Sequence, residues 1–259
     1  MLYKNNVKES KIVVFYGPSG SGKTFWKDFL CGELKVSQII RIIETYPRYL
    51  WKEVKPEILR LTNIFIRHFD PFNKVMTMTT RPPRSGEKHM VHYRFLTEEE
   101  FNRERELGNV LEETENFGFR YGSNKGDIEK ALQGRNAVIV LDNKGVKKLK
   151  DIYGDRVIAI YMQINPDEMR NRMIERCETE EAIIKRLGSI HDENHAEAGL
   201  SDYTLDSLNR IDIIMQDLLN IVFKECLMRK DIKHIIQSKT AHLISTFTEF
   251  EKTNNRKSN

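Results

Sequence analysis

At 259 residues the chain is long enough to bury a substantial core as one domain with appendages, and its 31% charged residues without a long apolar run exclude a helical membrane span. A net charge of +4 suits an anionic small-molecule substrate and is too mild to argue for nucleic-acid binding. Cys31, Cys177 and Cys226 lie far apart with no C-x-x-C spacing, and MLYKNNVKESK has no secretory core, so a cytoplasmic protein without disulfides, zinc, nucleic-acid partner or membrane contact is expected.

The first element is the apolar run Ile12–Tyr16, a buried strand by pattern. Directly after it stand Gly17, Pro18, Ser19, Gly20, Ser21, Gly22, Lys23 and Thr24, then an amphipathic helix over Phe25–Leu30. This is G-x-x-x-x-G-K-[ST] in a strand–loop–helix setting, the pattern that grips a nucleoside triphosphate. Its glycines let successive N–H groups turn toward an anion, and the helix N-terminus adds partial positive charge. Lys23 supplies a mobile cation for the β- and γ-phosphates; the Thr24 hydroxyl is placed to ligate Mg²⁺.

Residues 33–75 mix apolar and basic residues, with Pro47, Pro56 and Pro71 as breaks, and predict two short helices at about 35–45 and 55–68. A polar, turn-rich stretch from Arg81 to Gly126 reads as a separate lobe inserted into the connectivity of the sheet. Strands are predicted at Ala137–Leu141 and Val157–Ile164, and Asn165-Pro166 starts a helix over Asp167–Cys177. Alternation of this kind means α/β with a parallel sheet. Helical spacing over 207–248 predicts two further helices, and 250–259 is a polar tail.

Within 77–95 (TMTTRPPRSGEKHMVHYRF), Arg81 and Arg84 bracket a stiff Pro-Pro pair. Two guanidinium forks at fixed spacing suit a phosphate monoester, although Arg-Pro-Pro-Arg is equally a solvated loop. Arg170, Arg172, Arg176 and Arg186 alternate with Glu175, Glu178, Glu180 and Glu181, the pattern of a salt-bridged exposed helix. His191 and His195 lie four apart but lack the H-E-x-x-H pattern and a third ligand, so no transition-metal site is expected.

TTRPPRSGE, HYRF (92–95), EEEF (98–101), VLEETENFGFRYGS (110–123) and LDNKG (141–145) follow one another in an order that resembles guanylate kinase from about residue 11 to 210. The resemblance implies a P-loop NTPase fold: a parallel sheet flanked by helices, a GMP-binding lobe at about 77–126 and a helical lid at about 172–198. It implies a family-like domain over 8–210, with 33–75 as a helical insertion and 211–259 as an extension. It also implies ATP, Mg²⁺ and GMP as the small molecules bound. Thr77 matches the hydroxyl residue near guanine, Arg81 and Arg84 the phosphate arginines, and Tyr93 and Tyr121 the tyrosines beside them. Glu112, Ser123 and Asp142 match the base-reading residues, and Arg172, Arg176 and Arg186 the lid arginines. Lys23, Arg81 and the lid arginines would face the charge on the transferring phosphoryl group.

Several positions depart from the family pattern. Lys23 and Arg81 are 58 positions apart, which makes 33–75 an insertion. Met90 and His92 replace a Gly and an Asp, Val140 replaces the first Asp of a D-x-D-x-Q-G strand end, and no Asn stands near 202–208. Asp142 is left with two candidate roles, base reading or metal support. Transfer of phosphate from ATP to GMP or dGMP is the expected activity. A kinase for another acceptor, or a nucleotide-responsive binding module, are the alternatives.

Overall fold

In the computed structural model the described residues are 9–34, 36–84, 86–116, 118–188 and 199–226. They divide into a compact unit Glu9–Leu219 and a terminal unit, of which Asn220–Cys226 falls among the described residues. His191, His195, the part of the expected lid beyond 188 and residues 227–259 lie outside the described residues.

The central sheet has the order β2-β7-β1-β8-β9, with β1 Ile12–Tyr16, β2 Asn73–Lys74, β7 Ala137–Val140, β8 Val157–Gln163 and β9 Tyr203–Asp206. All its pairs are parallel. A parallel sheet is covered on both faces, so its strands are continuously apolar: all five residues of β1 are buried. The P-loop leaves the carboxyl end of this central strand, where helix α1 (Lys23–Leu30) begins. Gly17 has φ 121°, and a Cβ there would meet the Met162 carbonyl at 2.7 Å, so the loop can pass beside β8 only because the residue is glycine.

Residues 33–75 are more helical than expected. Helix α2 covers Val36–Glu44, and α3 runs from Trp51 to His68 straight through Pro56, which is no break. Pro56 lacks the N–H that would reach the Lys52 carbonyl, and an interior proline costs about 3 kcal/mol. Against that, α3 buries Val54, Ile58, Leu61 and Phe65 on one face, each contributing about 1.5–3 kcal/mol. The stripe wins. Phe65 packs on Phe29 of α1 with ring centroids 5.0 Å apart, so the insertion is joined to the helix that follows the P-loop. At the end of this stretch Asn73 and Lys74 form the sheet edge, in register with Ala137 and Val138.

A second sheet has the order β4-β3-β6-β5, built from β3 Thr77–Thr79, β4 Arg94–Phe95, β5 Val110–Asn116 and β6 Phe119–Asn124. Helix α4 (Glu98–Glu106) starts with a capping box between Thr97 and Glu100 and packs Phe101 inside. Helix α5 (Lys125–Ala131) and α6 (Asn143–Tyr153) flank β7, and α7 (Pro166–Glu175) and α8 (Glu180–Gly188) follow β8. The last described helix, α9, spans Ile211–Cys226; residues 207–210, expected in helix, form a turn after β9. Its first half belongs to the compact unit, because Ile211, Ile214, Met215, Leu218 and Leu219 are buried. No described helix is long and apolar enough to cross a membrane.

Candidate active site

The P-loop surrounds its own lysine. Lys23 Nζ donates to the carbonyls of Gly17 at 2.6 Å and Pro18 at 2.5 Å, so the cation sits in the concavity that successive N–H groups line. Thr24 is exposed on the first turn of α1, its hydroxyl open to solvent. Among the described residues no three acidic, histidine or cysteine side chains gather as a metal site, and Val140 ends β7.

The second sheet gathers the acceptor residues by register. Thr77 pairs with Ser123 and Ser123 with Glu112, so all three share one face; Thr79 and Tyr121 pair one step along it. Arg81 continues that face beyond β3, its guanidinium 5.6 Å from the Tyr93 ring, and Tyr93 meets Tyr121 edge-on at 6.4 Å. A residue not singled out from sequence, Glu87, pins the arginine: both carboxylate oxygens accept from Arg81 Nη2, at 3.0 and 2.8 Å, and one also takes the Arg84 N–H. Burial opposes ionisation of Glu87, but the Arg84 N–H and the Arg81 charge outweigh it and hold its pKa below the ordinary carboxylate range.

Glu112 is buried and carries an opposite shift. Burial first, then the charge of Asp142, pushes its carboxyl up to about 7; Ser123 offsets this only in part. Ser123 Oγ is itself buried without a partner at hydrogen-bond geometry. Glu112 and Ser123 thus form a buried polar pair on this sheet face, suited to a polar ligand. Asp142 caps α6, accepting from the Gly145 N–H at 2.8 Å. A Cβ on Gly145 would lie 3.3 Å from Glu112 Oε2, so glycine lets the helix start approach that carboxylate.

Of the three arginines expected over the triphosphate, Arg172 and Arg186 reach the P-loop. Arg172 Nη1 donates to the Gly20 carbonyl at 3.1 Å, and Glu168 fixes its Nε at 2.7 Å. Arg186 Nη1 donates to Ser19 Oγ at 3.0 Å and pairs with Glu178 at 2.7 Å. Desolvation lowers the pKa of both Arg176 and Arg186, Glu178 opposes it, and Arg84 repels both. The charge of Arg84 is thus felt at Arg186, which bonds the P-loop, and at Arg176. Of the carboxylates that orient Arg172 and Arg186, Glu178 was legible only as a member of a mixed-charge run and Glu168 was not singled out.

Against known sequences, the family model described as Guanylate kinase matches residues 60–225. The chain belongs to the guanylate kinase family. It is 33% identical over 156 residues to the guanylate kinase of Clostridium perfringens strain SM101, covering 58% of this chain and 72% of that one. The guanylate kinase of Bacteroides fragilis strain YCH46 is 31% identical over 183 residues, 69% of this chain and 72% of its own. In fold, the crystal structure of guanylate kinase from Anaplasma phagocytophilum superposes with a TM-score of 0.55 at 21% identity, over 89% of this chain and 95% of that one.

Two residues that depart from the guanylate kinase pattern, Met90 and His92, lie in the turn before Tyr93. Met90, where the family has glycine, takes φ 59°, and its N–H donates to the Tyr93 carbonyl. His92 Nδ1 accepts the Lys88 N–H at 3.0 Å, a capping role open to an aspartate as well. Both residues thus take part in the hydrogen bonds of the turn before Tyr93. Cys177, at φ 56°, closes α7: its N–H donates to Ile174 and that of Glu178 to Met173, a Schellman end that favours glycine. Cys177→Gly is expected to raise stability by about 0.5–1 kcal/mol, the left-handed penalty less the extra entropy of unfolded glycine. Urea denaturation midpoints of the two proteins check it.

Proposed function

We propose that the chain transfers the γ-phosphoryl group of ATP to GMP or dGMP, giving ADP and GDP or dGDP, within the cytoplasmic nucleotide pool. The carrying observation is the row Thr77–Ser123–Glu112 on the same sheet face that leads to Arg81 and Tyr121. Guanine offers N1–H and N2–H₂ as adjacent donors, and an ionised Glu112 accepts both. Adenine has an acceptor at N1 and no amine at C2, so it would leave that carboxylate unpaired. Ser123 and Thr77 supply hydroxyls to the rest of the base, and Asp142, at the start of α6, is the second base-reading acid.

Arg81, Arg84, Tyr93 and Tyr121 hold the acceptor phosphate, with Glu87 fixing the Arg81 fork. The P-loop N–H groups of residues 17–24 and Lys23 hold the donor phosphates. Arg172, Arg176 and Arg186 face the charge that develops between the two nucleotides, and the lid over them excludes water. Thr24 would hold Mg²⁺ together with nucleotide phosphates and water, a donor set that fits an ion usually carried in by its nucleotide. When bound, Mg²⁺ neutralises phosphate charge.

The test is ADP release from MgATP with GMP, dGMP, AMP, CMP and UMP in turn. Turnover confined to the guanine nucleotides is the expected result. Turnover with another base would move the acceptor assignment, and GMP binding without any turnover would make the protein a nucleotide-responsive binding module.

A further inference from the structure

The turn 207–210 is gripped from two sides. On the inner side Ser207 Oγ donates to the Ser21 carbonyl at 2.7 Å, and Arg172 Nη2 donates to the Ser207 carbonyl at 2.9 Å while its Nη1 holds Gly20. Ser207 and Arg172 thus tie the turn to the P-loop.

On the outer side the grip comes from the insertion. Tyr46, in the link between α2 and α3, accepts the Ile211 N–H on its phenolic oxygen at 2.9 Å. That N–H opens α9, and a first-turn N–H has no partner within its own helix. The tyrosine is itself anchored, since Trp51 Nε1 donates to its carbonyl at 2.9 Å. Arg210, paired with Asp212, reaches Glu53 of α3 at 3.3 Å. The Arg172 charge also acts on the Tyr46 hydroxyl. The Arg84 charge acts on Arg176 and Arg186, and Arg186 donates to Ser19 Oγ, whereas Arg172 is the arginine that holds the turn, through the Ser207 carbonyl.

We propose that the insertion is a working part of the donor-nucleotide site, with Tyr46 as its positioning residue, fixing the turn 207–210 and through it Ser207 and Arg172 on the P-loop. The proposal rests on the kinase reading above for what the donor is. It assigns a role to a segment that the family pattern leaves without one, and it touches ATP while sparing GMP.

Tyr46→Phe in the full chain removes the hydroxyl and keeps the ring. Losing one hydrogen bond that orders the donor side is expected to raise KM for MgATP about three- to tenfold. KM for GMP stays within about twofold, because the acceptor row shares no contact with Tyr46. Thermal midpoints of the two proteins remain within a few degrees. An unchanged KM for MgATP, or equal rises for both nucleotides, overturns the proposal. Calorimetric titration of MgADP reads the donor site without turnover. If the unmodified protein binds MgADP but phosphorylates no monophosphate, the kinase reading fails; weaker MgADP binding by Tyr46→Phe then still upholds the role of the insertion, and equal binding overturns it.

Discussion

Lys23→Ala is expected to lower kcat for ADP formation by about 10³-fold while GMP binding stays within about twofold. A single preorganised cation facing transition-state charge is worth about 4 kcal/mol in a water-excluded site, and a factor of ten in rate corresponds to about 1.4 kcal/mol. The effect falls on turnover because Lys23 has no part in the acceptor row. Its present bonds to the Gly17 and Pro18 carbonyls hold the ammonium in the concavity, so phosphate binding needs only a local exchange of partners. Steady-state rates with calorimetric GMP titration in the absence of ATP separate the two quantities. Lys23→Arg is expected to recover little, since the planar fork is longer and cannot occupy the same point between two carbonyls. A variant that loses GMP affinity as strongly as turnover would place Lys23 on both substrates.

The parts of the fold that were legible from sequence are those in which local chemistry fixes local geometry. An apolar run into GPSGSGKT leaves few arrangements other than strand, loop and helix, and Asn165-Pro166 marks a helix start by capping and by a fixed φ together. Pro56 misled because a local rule met a tertiary stripe: four buried side chains on α3 outweigh one absent hydrogen bond. The short strand Asn73–Lys74 had no signal at all, since two residues show no periodicity and its place depends on β7.

The site divides in the same way. Arg81 and Arg84 stand out as a pair, but Glu112 could not be told from its acidic neighbours by composition. It is set apart by what β6 and α6 bring to it: Ser123 across the ladder, and Asp142 with Gly145 at a helix start. Glu87, Glu168 and Glu178 act by holding arginines, and such pairs are invisible until the chain is folded. Tyr46 is the extreme case, 165 positions from its partner Ile211.

Lowering the pH from 8 to 6 is expected to raise KM for GMP about tenfold, through Glu112. Burial, with Asp142 beside it, raises this carboxyl to about 7, so below that pH the free protein holds it neutral. Guanine needs the ionised form, and each binding event at pH 6 must first expel a proton. The neutral acid can instead donate to adenine N1, so preference for GMP over AMP narrows over the same interval. Folding shows the matching sign. Because the folded pKa exceeds the unfolded one, stability from this group is present below about pH 4.5 and is lost as pH rises through about 7, a few kcal/mol at most. Glu112→Gln removes both dependences: KM for GMP is expected to rise about 10- to 100-fold and become flat between pH 6 and 8, with AMP discrimination reduced. Initial rates for GMP and AMP across that range, for both proteins, are the measurement. Since Arg81, Tyr93 and Tyr121 serve any monophosphate, a pH response shared equally by GMP and AMP would place the titrating group in the phosphate clamp, and Glu112 would no longer be the base reader.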